Sequence, residues 1–333
     1  MQIITASDSR LQWPGAVSLQ TAADGVSPWR IPFGDRTLFN PTLQERAAMP
    51  AGVRLTFRTN SPVVAGRITP VADASDIDLV CDGGWLGSQP LAGRDRFEFA
   101  NLPAGEHVVE LWLPQYGTFR LQALELAAGA TCGPAPDNRP RWITYGSSIT
   151  QCRTAASPTR TWPAIVARTR GLNLTCLGYG GQCHLDSQVA RLMRDLPADY
   201  LSLCVGINIY GGATLSARTF GASLIGFVKI LREKHPTTPV LVCSPIYACE
   251  RETTKNAVGF TLPEMRSEVA QAVEILRAAG DPALRYQDGL ELFGPDLVGR
   301  LPDRLHPDAE GYQRLAENFL TVAAPKLFKG LNP

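Results

Sequence analysis

Histidine is scarce in this chain, with four residues in 333, and the four (His107, His184, His235 and His306) stand far apart. The eight cysteines contain no Cys-x-x-Cys pair. A zinc site is therefore not expected, and no metal or other cofactor is assigned. Cys176, Cys204 and Cys243 sit in apolar strand-like runs, where a reduced thiol behaves as a small hydrophobe. No apolar run approaches the roughly 20 residues of a membrane span. Charge of one sign is nowhere concentrated, since 32 Lys and Arg meet 31 Asp and Glu for a net +1. Neither nucleic acid nor an anionic membrane is the expected partner. The opening MQIITASDSRLQW lacks a basic start followed by an apolar core, so it does not read as an export signal. The expectation is a soluble, cytoplasmic protein.

A chain of this length with 44% hydrophobic residues has enough material for two cores. Up to about residue 130 the pattern has period two. Val53, Leu55 and Phe57 alternate with Arg54, Thr56 and Arg58, and Phe97 and Phe99 alternate with Arg96 and Glu98. Turns such as Asp82-Gly83-Gly84 and Pro103-Ala104-Gly105 separate the runs, with no helical stretch between them. That is the pattern of an antiparallel β-sandwich or jelly roll. The Pro/Gly-rich stretch 132–141 marks a joint, which gives a sandwich over 1–135 and a second domain over 136–333.

Beyond the joint the period changes. Strand-like runs near 142–147, 173–178, 199–206, 239–245 and 284–288 alternate with helical patterns. One helix shows Phe220, Leu224, Phe227 and Leu231 on one face. Another shows Met265, Val269, Val273 and Leu276 and stops at Gly280. Such alternation predicts an α/β domain with a five-stranded parallel sheet covered on both faces.

In a parallel α/β sheet, ligands bind outside the carboxyl ends of the strands, and four such ends carry reactive types. The first reads Tyr145-Gly146-Ser147-Ser148-Ile149-Thr150, a strand running into a turn that lifts a serine hydroxyl clear of the sheet. The second, Gly178-Tyr179-Gly180-Gly181-Gln182, lets backbone N–H groups approach a ligand closely. The third, Val205-Gly206-Ile207-Asn208, places an amide at the sheet edge. Asp303-Arg304-Leu305-His306-Pro307 sets an imidazole three residues after a carboxylate, just before the last helix. Taken one at a time, these residues have plainer readings. Gly181 reads equally as a turn glycine, Asn208 as a helix cap and Asp303 as a loop acid. His184 is disfavoured as a base because Asp186 is its nearest acid, at the wrong spacing.

In this order the four blocks resemble the SGNH (GDSL-type) hydrolase superfamily, and Trp162-Pro163-Ala164 adds to the likeness. It covers about residues 140–328, and Tyr-Gly-Ser-Ser-Ile-Thr is similar to the subgroup with a β-sandwich ahead of the catalytic domain. The resemblance implies a three-layer α/β/α, flavodoxin-like fold and an acyl-serine mechanism. It implies Ser148 as nucleophile, His306 as general base and Asp303 as the acid that orients the imidazole. It also implies an oxyanion hole made of the Ser148 and Gly181 N–H groups and the Asn208 amide. Some members of such families work with a Ser–His dyad instead. Three positions depart from the pattern: Ser147 stands for an Asp, Ile209 for a second acid after Asn208, and Cys176 for an Asn. None of the three removes a catalytic group.

The expected activity is hydrolysis of a carboxylic ester, with transfer of the acyl group to a sugar or natural-product hydroxyl as the alternative. A non-catalytic carbohydrate-binding protein is the reading outside enzymes. The expected partners are a small-molecule ester, or an acyl donor with a hydroxyl acceptor, and the sequence assigns no oligomeric state. Tyr210, His184 and Tyr247 are expected to contact substrate. The run Tyr210–Thr214 reads as flexible, and the charged loop 247–260 as a lid without the apolar surface of an interfacial lipase. Trp13, Trp29, Trp85 and Trp112 are candidate sugar platforms, although most read more readily as core.

Overall fold

The computed structural model describes residues 1–328. The chain forms two compact units, residues 1–139 with 156–164 and 173–176, and the remainder. Among the described residues no helix is long and apolar enough to cross a membrane.

The first unit holds two antiparallel sheets. One runs in the order Ser18–Ala22, Gly25–Trp29, Leu121–Leu126, Val63–Ile68, Arg96–Ala100, with Gln2–Thr5 also on Leu121–Leu126. The other runs Arg54–Thr59, His107–Trp112, Ile77–Cys81, Gly84–Gln89. Alternation holds where one face meets water, as in Arg96–Ala100, with Phe97 and Phe99 buried between exposed neighbours. It fails in Arg54–Thr59, where Arg54 and Thr56 are buried as deeply as Leu55 and Phe57. The Arg54 guanidinium lies 5.1 Å from the Trp112 ring. It donates to the carbonyls of Gly52 and Leu174 at 3.0 and 2.7 Å, and to the Asn173 and Asp137 side chains at 2.5 and 3.2 Å. A buried charge survives only when its terminal nitrogens are paired in this way.

The half read as free of helix does contain one, Pro41–Ala47. Asn40 caps it by accepting from the Thr42 N–H, and Pro41 supplies a preset φ. Of the four tryptophans, Trp112 is core and Trp13 packs partly buried against the core. Trp29 is half-buried, its indole N–H on Gln20 Oε1 at 3.1 Å, and Trp85 is 45% exposed.

The second unit holds most of a five-stranded parallel sheet in the order Asn173–Gly178, Arg141–Gly146, Tyr200–Cys204, Val240–Cys243, Leu284–Gln287. Val240–Cys243 is buried at every position, as in a sheet covered on both faces. Phe220–Arg232 and Leu262–Ala278 bury the faces read from their periodicity, and each fully buried Leu or Phe contributes about 1.5–3 kcal/mol. Thr261 and Glu264 close a capping box at the start of the second helix, and Gly280, at φ +95, follows its end.

The end of the first strand is the tightest place in this unit. A β-carbon on Gly146 would lie 2.1 Å from Thr150 Oγ1, and one on Gly178 would lie 2.5 Å from the Gln151 nitrogen. The second obstacle is backbone and cannot rotate away. Gly178→Ala is therefore expected to cost about 1–3 kcal/mol by overpacking, read as a lower urea midpoint with an unchanged m-value. A midpoint equal to that of the native chain would show that the turn yields freely.

Candidate active site

Ser147 takes the extended conformation that starts the turn, and its Oγ accepts from the Ile149 N–H at 3.2 Å. Serine is a sufficient cap here, so the turn has no need of the aspartate the family pattern places at this position. Ser148 is the first residue of the one-turn helix Ser148–Gln151, which closes with Cys152 in the left-handed region at φ +61. The half-buried Ser148 side chain points to the loop before the last helix, where its Oγ lies 2.8 Å from His306 Nε2.

Asp303 does two things in that loop. Its Oδ1 accepts from the Leu305 and His306 N–H groups at 3.0 and 2.7 Å, folding the segment back on itself. Its Oδ2 takes the His306 Nδ1 at 2.6 Å. Arg304, between them, sits at φ +64 to make the bend. Burial pushes the Asp303 carboxyl up, but the hydrogen bonds from the His306 ring and from the two backbone N–H groups outweigh it. They hold the carboxyl below its usual range. With Nδ1 donating to a carboxylate, Nε2 carries the lone pair that faces Ser148. Asp308 then starts the last helix, Ala309–Asn318, by accepting from the Gly311 N–H at 2.7 Å.

The glycine block and Asn208 are joined to this turn by hydrogen bonds. Gly180 N–H donates to Gln151 Oε1 at 2.8 Å, and Gly181 takes φ +74. Asn208 caps nothing. It lies inside the helix Ile207–Gly212, and its Oδ1 accepts from the Cys183 N–H at 3.0 Å, which leaves the amide NH₂ pointing elsewhere. Among the described residues no protein acceptor takes the N–H of Ser148 or Gly181 or the NH₂ of Asn208. These are three unspent donors at three strand ends.

The residues read as substrate contacts also make bonds within the chain. Tyr210 is buried, and its hydroxyl donates to the Thr254 carbonyl at 2.8 Å. The segment read as flexible is mostly helix, Ile207–Gly212, closed by Ala213 at φ +49. His184 Nε2 donates to the Gly181 carbonyl at 3.0 Å, and Nδ1 faces the Thr214 hydroxyl at 2.9 Å. The ring therefore fastens the Gly181 loop to the end of the Asn208 helix, and neither ring nitrogen is left for Asp186. Tyr247 is half-buried, with its N–H on the Phe293 carbonyl at 3.0 Å.

The loop 247–260 is tied down at several points. It holds the 3₁₀ turn Cys249–Glu252, and Arg266 grips it through Glu252 at 2.7 and 2.8 Å and the carbonyls of Pro245 and Ile246. Asn256 donates to the Tyr210 carbonyl at 3.0 Å, and Glu250 pairs with Arg304 beside the imidazole. Its exposed apolar surface is slight, with Val258 37% exposed. Gln151, Thr214 and Cys183 support the site, yet nothing in their residue types marked them. The signal available was position, since Gln151 stands one helical turn after Ser148.

Comparison with known proteins identifies the family. Residues 140–324 match the GDSL-like Lipase/Acylhydrolase family, and residues 11–122 match the SsfX3 N-terminal domain family. No curated protein sequence matches the chain. Among solved structures, the salicylyl-acyltransferase SsfX3 of a tetracycline biosynthetic pathway is 37% identical, with 97% of this chain and 96% of that one covered and a TM-score of 0.90. A GDSL-like lipase structure from Bacteroides ovatus shares 23% identity over 98% of this chain and 97% of that one, at a TM-score of 0.80. A family two carbohydrate esterase from Cellvibrio japonicus shares the fold, at 14% identity, coverage of 98% and 97%, and a TM-score of 0.66.

His184→Ala removes both ties of the imidazole, each worth about 0.5–1.5 kcal/mol. Amide exchange in segment 180–184 is expected to quicken about tenfold, with global stability little changed. Unaltered protection there would mean that the loop holds itself.

Proposed function

We propose that this chain, which belongs to the GDSL-like lipase/acylhydrolase family, cleaves a carboxylic ester through an acyl-enzyme on Ser148. The observation that carries the reading is the unbroken relay from Ser148 Oγ to His306 Nε2 at 2.8 Å and from His306 Nδ1 to Asp303 at 2.6 Å. Oγ attacks the acyl carbon as its proton passes to Nε2, and Asp303 stabilises the imidazolium that results. The carbonyl oxygen becomes an oxyanion and takes the unspent donors of Ser148, Gly181 and Asn208. Collapse breaks the ester C–O bond, and the leaving alcohol receives the proton from Nε2. Water then attacks the acyl-serine, giving its proton to Nε2, and collapse breaks the acyl C–Oγ bond, releasing the acid as Oγ takes that proton back. The loop 247–260, charged and with little apolar surface, suits a small or sugar-linked ester rather than an oil interface.

A second reading has its own support. SsfX3, 37% identical, is described as a salicylyl-acyltransferase, so a hydroxyl acceptor in place of water is favoured by the likeness. The two readings share every step up to the acyl-enzyme.

Ser148→Ala is expected to lower turnover of an activated ester by about 10⁴–10⁶-fold and to abolish labelling by a fluorophosphonate, with the fold intact by circular dichroism. A variant keeping half its activity sinks the acyl-serine reading. An unlabelled native chain, inactive on a panel of esters, would favour a binding protein. Partition of the acyl group between water and added alcohols separates hydrolysis from transfer.

Asp303→Asn carries a sharper expectation. An amide oxygen still accepts from the two backbone N–H groups, which turns the NH₂ toward His306 Nδ1 and forces the proton onto Nε2. That tautomer cannot take the serine proton, so kcat should fall by about 10²–10⁴. In the native chain the Asp303 carboxylate, held low, should lose its charge and depress kcat/KM only below the ordinary carboxylate range. Native-like turnover in Asp303→Asn would reduce the relay to Ser148 and His306.

A further inference from the structure

The scattered histidines and the absence of Cys-x-x-Cys lead the sequence to predict no zinc site. Folding of the sandwich nevertheless brings three donors of different kinds together. Cys81 ends the strand Ile77–Cys81 and pairs in register with Val109, two residues beyond His107. Asp82 and Gly83, at φ +48 and +82, make the two-residue turn into the next strand. The Cys81 Sγ, an Asp82 carboxylate oxygen and a His107 ring nitrogen all lie within 4.8 Å of one another.

The surroundings of these donors are those of metal ligands. His107 Nε2 donates to the Ala104 carbonyl at 3.1 Å, which leaves Nδ1 facing Asp82 Oδ2 at 2.5 Å. The other Asp82 oxygen accepts from the Val108 N–H at 2.9 Å. A ring N–H spent on a backbone carbonyl and a carboxylate fixed by a backbone N–H are the supports that orient such ligands. An imidazole lone pair and a carboxylate this close need a cation between them. A proton would serve, and the Cys81 thiol, at the edge of the sandwich core, lies beside the pair as a third donor.

We propose that Cys81, Asp82 and His107 bind a borderline divalent ion, zinc being the best match to one sulfur, one nitrogen and one oxygen. Thiolate and carboxylate together neutralise its charge, and solvent reaches a fourth position past Asp82, which is exposed. Zinc bonds of about 2.0–2.3 Å set tetrahedral donor separations of about 3.3–3.8 Å. The short Asp82–His107 edge opens and the longest edge closes by about an ångström, within reach of side-chain rotation in Cys81 and Asp82. The ion would clip the 81–84 hairpin to the strand His107–Trp112, a stabilising role apart from ester chemistry.

The test uses the full chain, freed of metal by a chelator, titrated with Co²⁺ and then Zn²⁺. One equivalent of Co²⁺ should bind with a thiolate-to-metal charge-transfer band, and Zn²⁺ should displace it. Zinc at 100 times its Kd should raise the unfolding temperature of the sandwich by about 5–10 °C, with ester turnover unchanged. Cys81→Ser should abolish the band. Asp82→Asn, on the exposed turn where folding is not at stake, should weaken binding by at least about 100-fold. Absence of one-to-one binding at millimolar Co²⁺, or a band that persists in Cys81→Ser, would overturn the site. So would affinity unchanged in Asp82→Asn.

Discussion

Where the first two strands of the parallel sheet press on the turn Ser147–Gln151, neither strand can carry a β-carbon, and the reach of Ser148 depends on that closeness. Gly146 and Gly178 let the turn lie against both strand ends, and the Tyr179 N–H crosses to the Gly146 carbonyl at 2.8 Å. From there the order propagates through short polar links. Gln151 holds Gly180, His184 holds Gly181, and the Cys183 N–H holds Asn208. The unspent donors of Gly181 and Asn208 are thus held by neighbours bonded to the other polar group of the same residue. This is how preorganised dipoles are kept aimed without reorganisation during a reaction.

The loop 247–260 complements this arrangement. A segment of that length could move as a unit, but its ties go to three different elements: to Leu262–Ala278 through Arg266, to Ile207–Gly212 through Tyr210 and Asn256, and to the imidazole loop through Glu250. The Glu250–Arg304 pair is exposed and contributes little to stability. The Arg266–Glu252 pair is mostly buried and bidentate, and it holds more strongly. Such a loop shapes a pocket by its resting form.

The parallel sheet and its main helices were legible because buried strands and amphipathic helices write their period directly into residue order. Ser148, Gly181, Asn208 and His306 stood out because each follows a strand or precedes a helix. Three features were hidden. Arg54 and Thr56 read as solvent-facing because alternation records polarity and not burial, and a guanidinium bonded through both terminal nitrogens obeys a different rule. The helix Pro41–Ala47 was overlooked although Asn40-Pro41 is a start signal, since its single turns do not make a long stripe. Tyr210 and His184 were assigned to substrate because polar aromatic groups near a strand end suggest it. Their partners, Thr254, Thr214 and the Gly181 carbonyl, are brought close by the fold and could not be read from spacing. The same holds for Cys81 and His107, which pairing across a sheet makes neighbours.

The carboxylate of Asp303 both bends its own loop and steadies the ring three residues later. Acid and base therefore form one mechanical part. Of the two separations in the relay, one is internal to a four-residue piece and is insensitive to how helices and strands shift around it. Only the gap from His306 to Ser148 spans distant stretches of chain, so it alone can drift as the surrounding packing changes. A family built this way can exchange loops and neighbouring domains freely, provided that one dimension is kept.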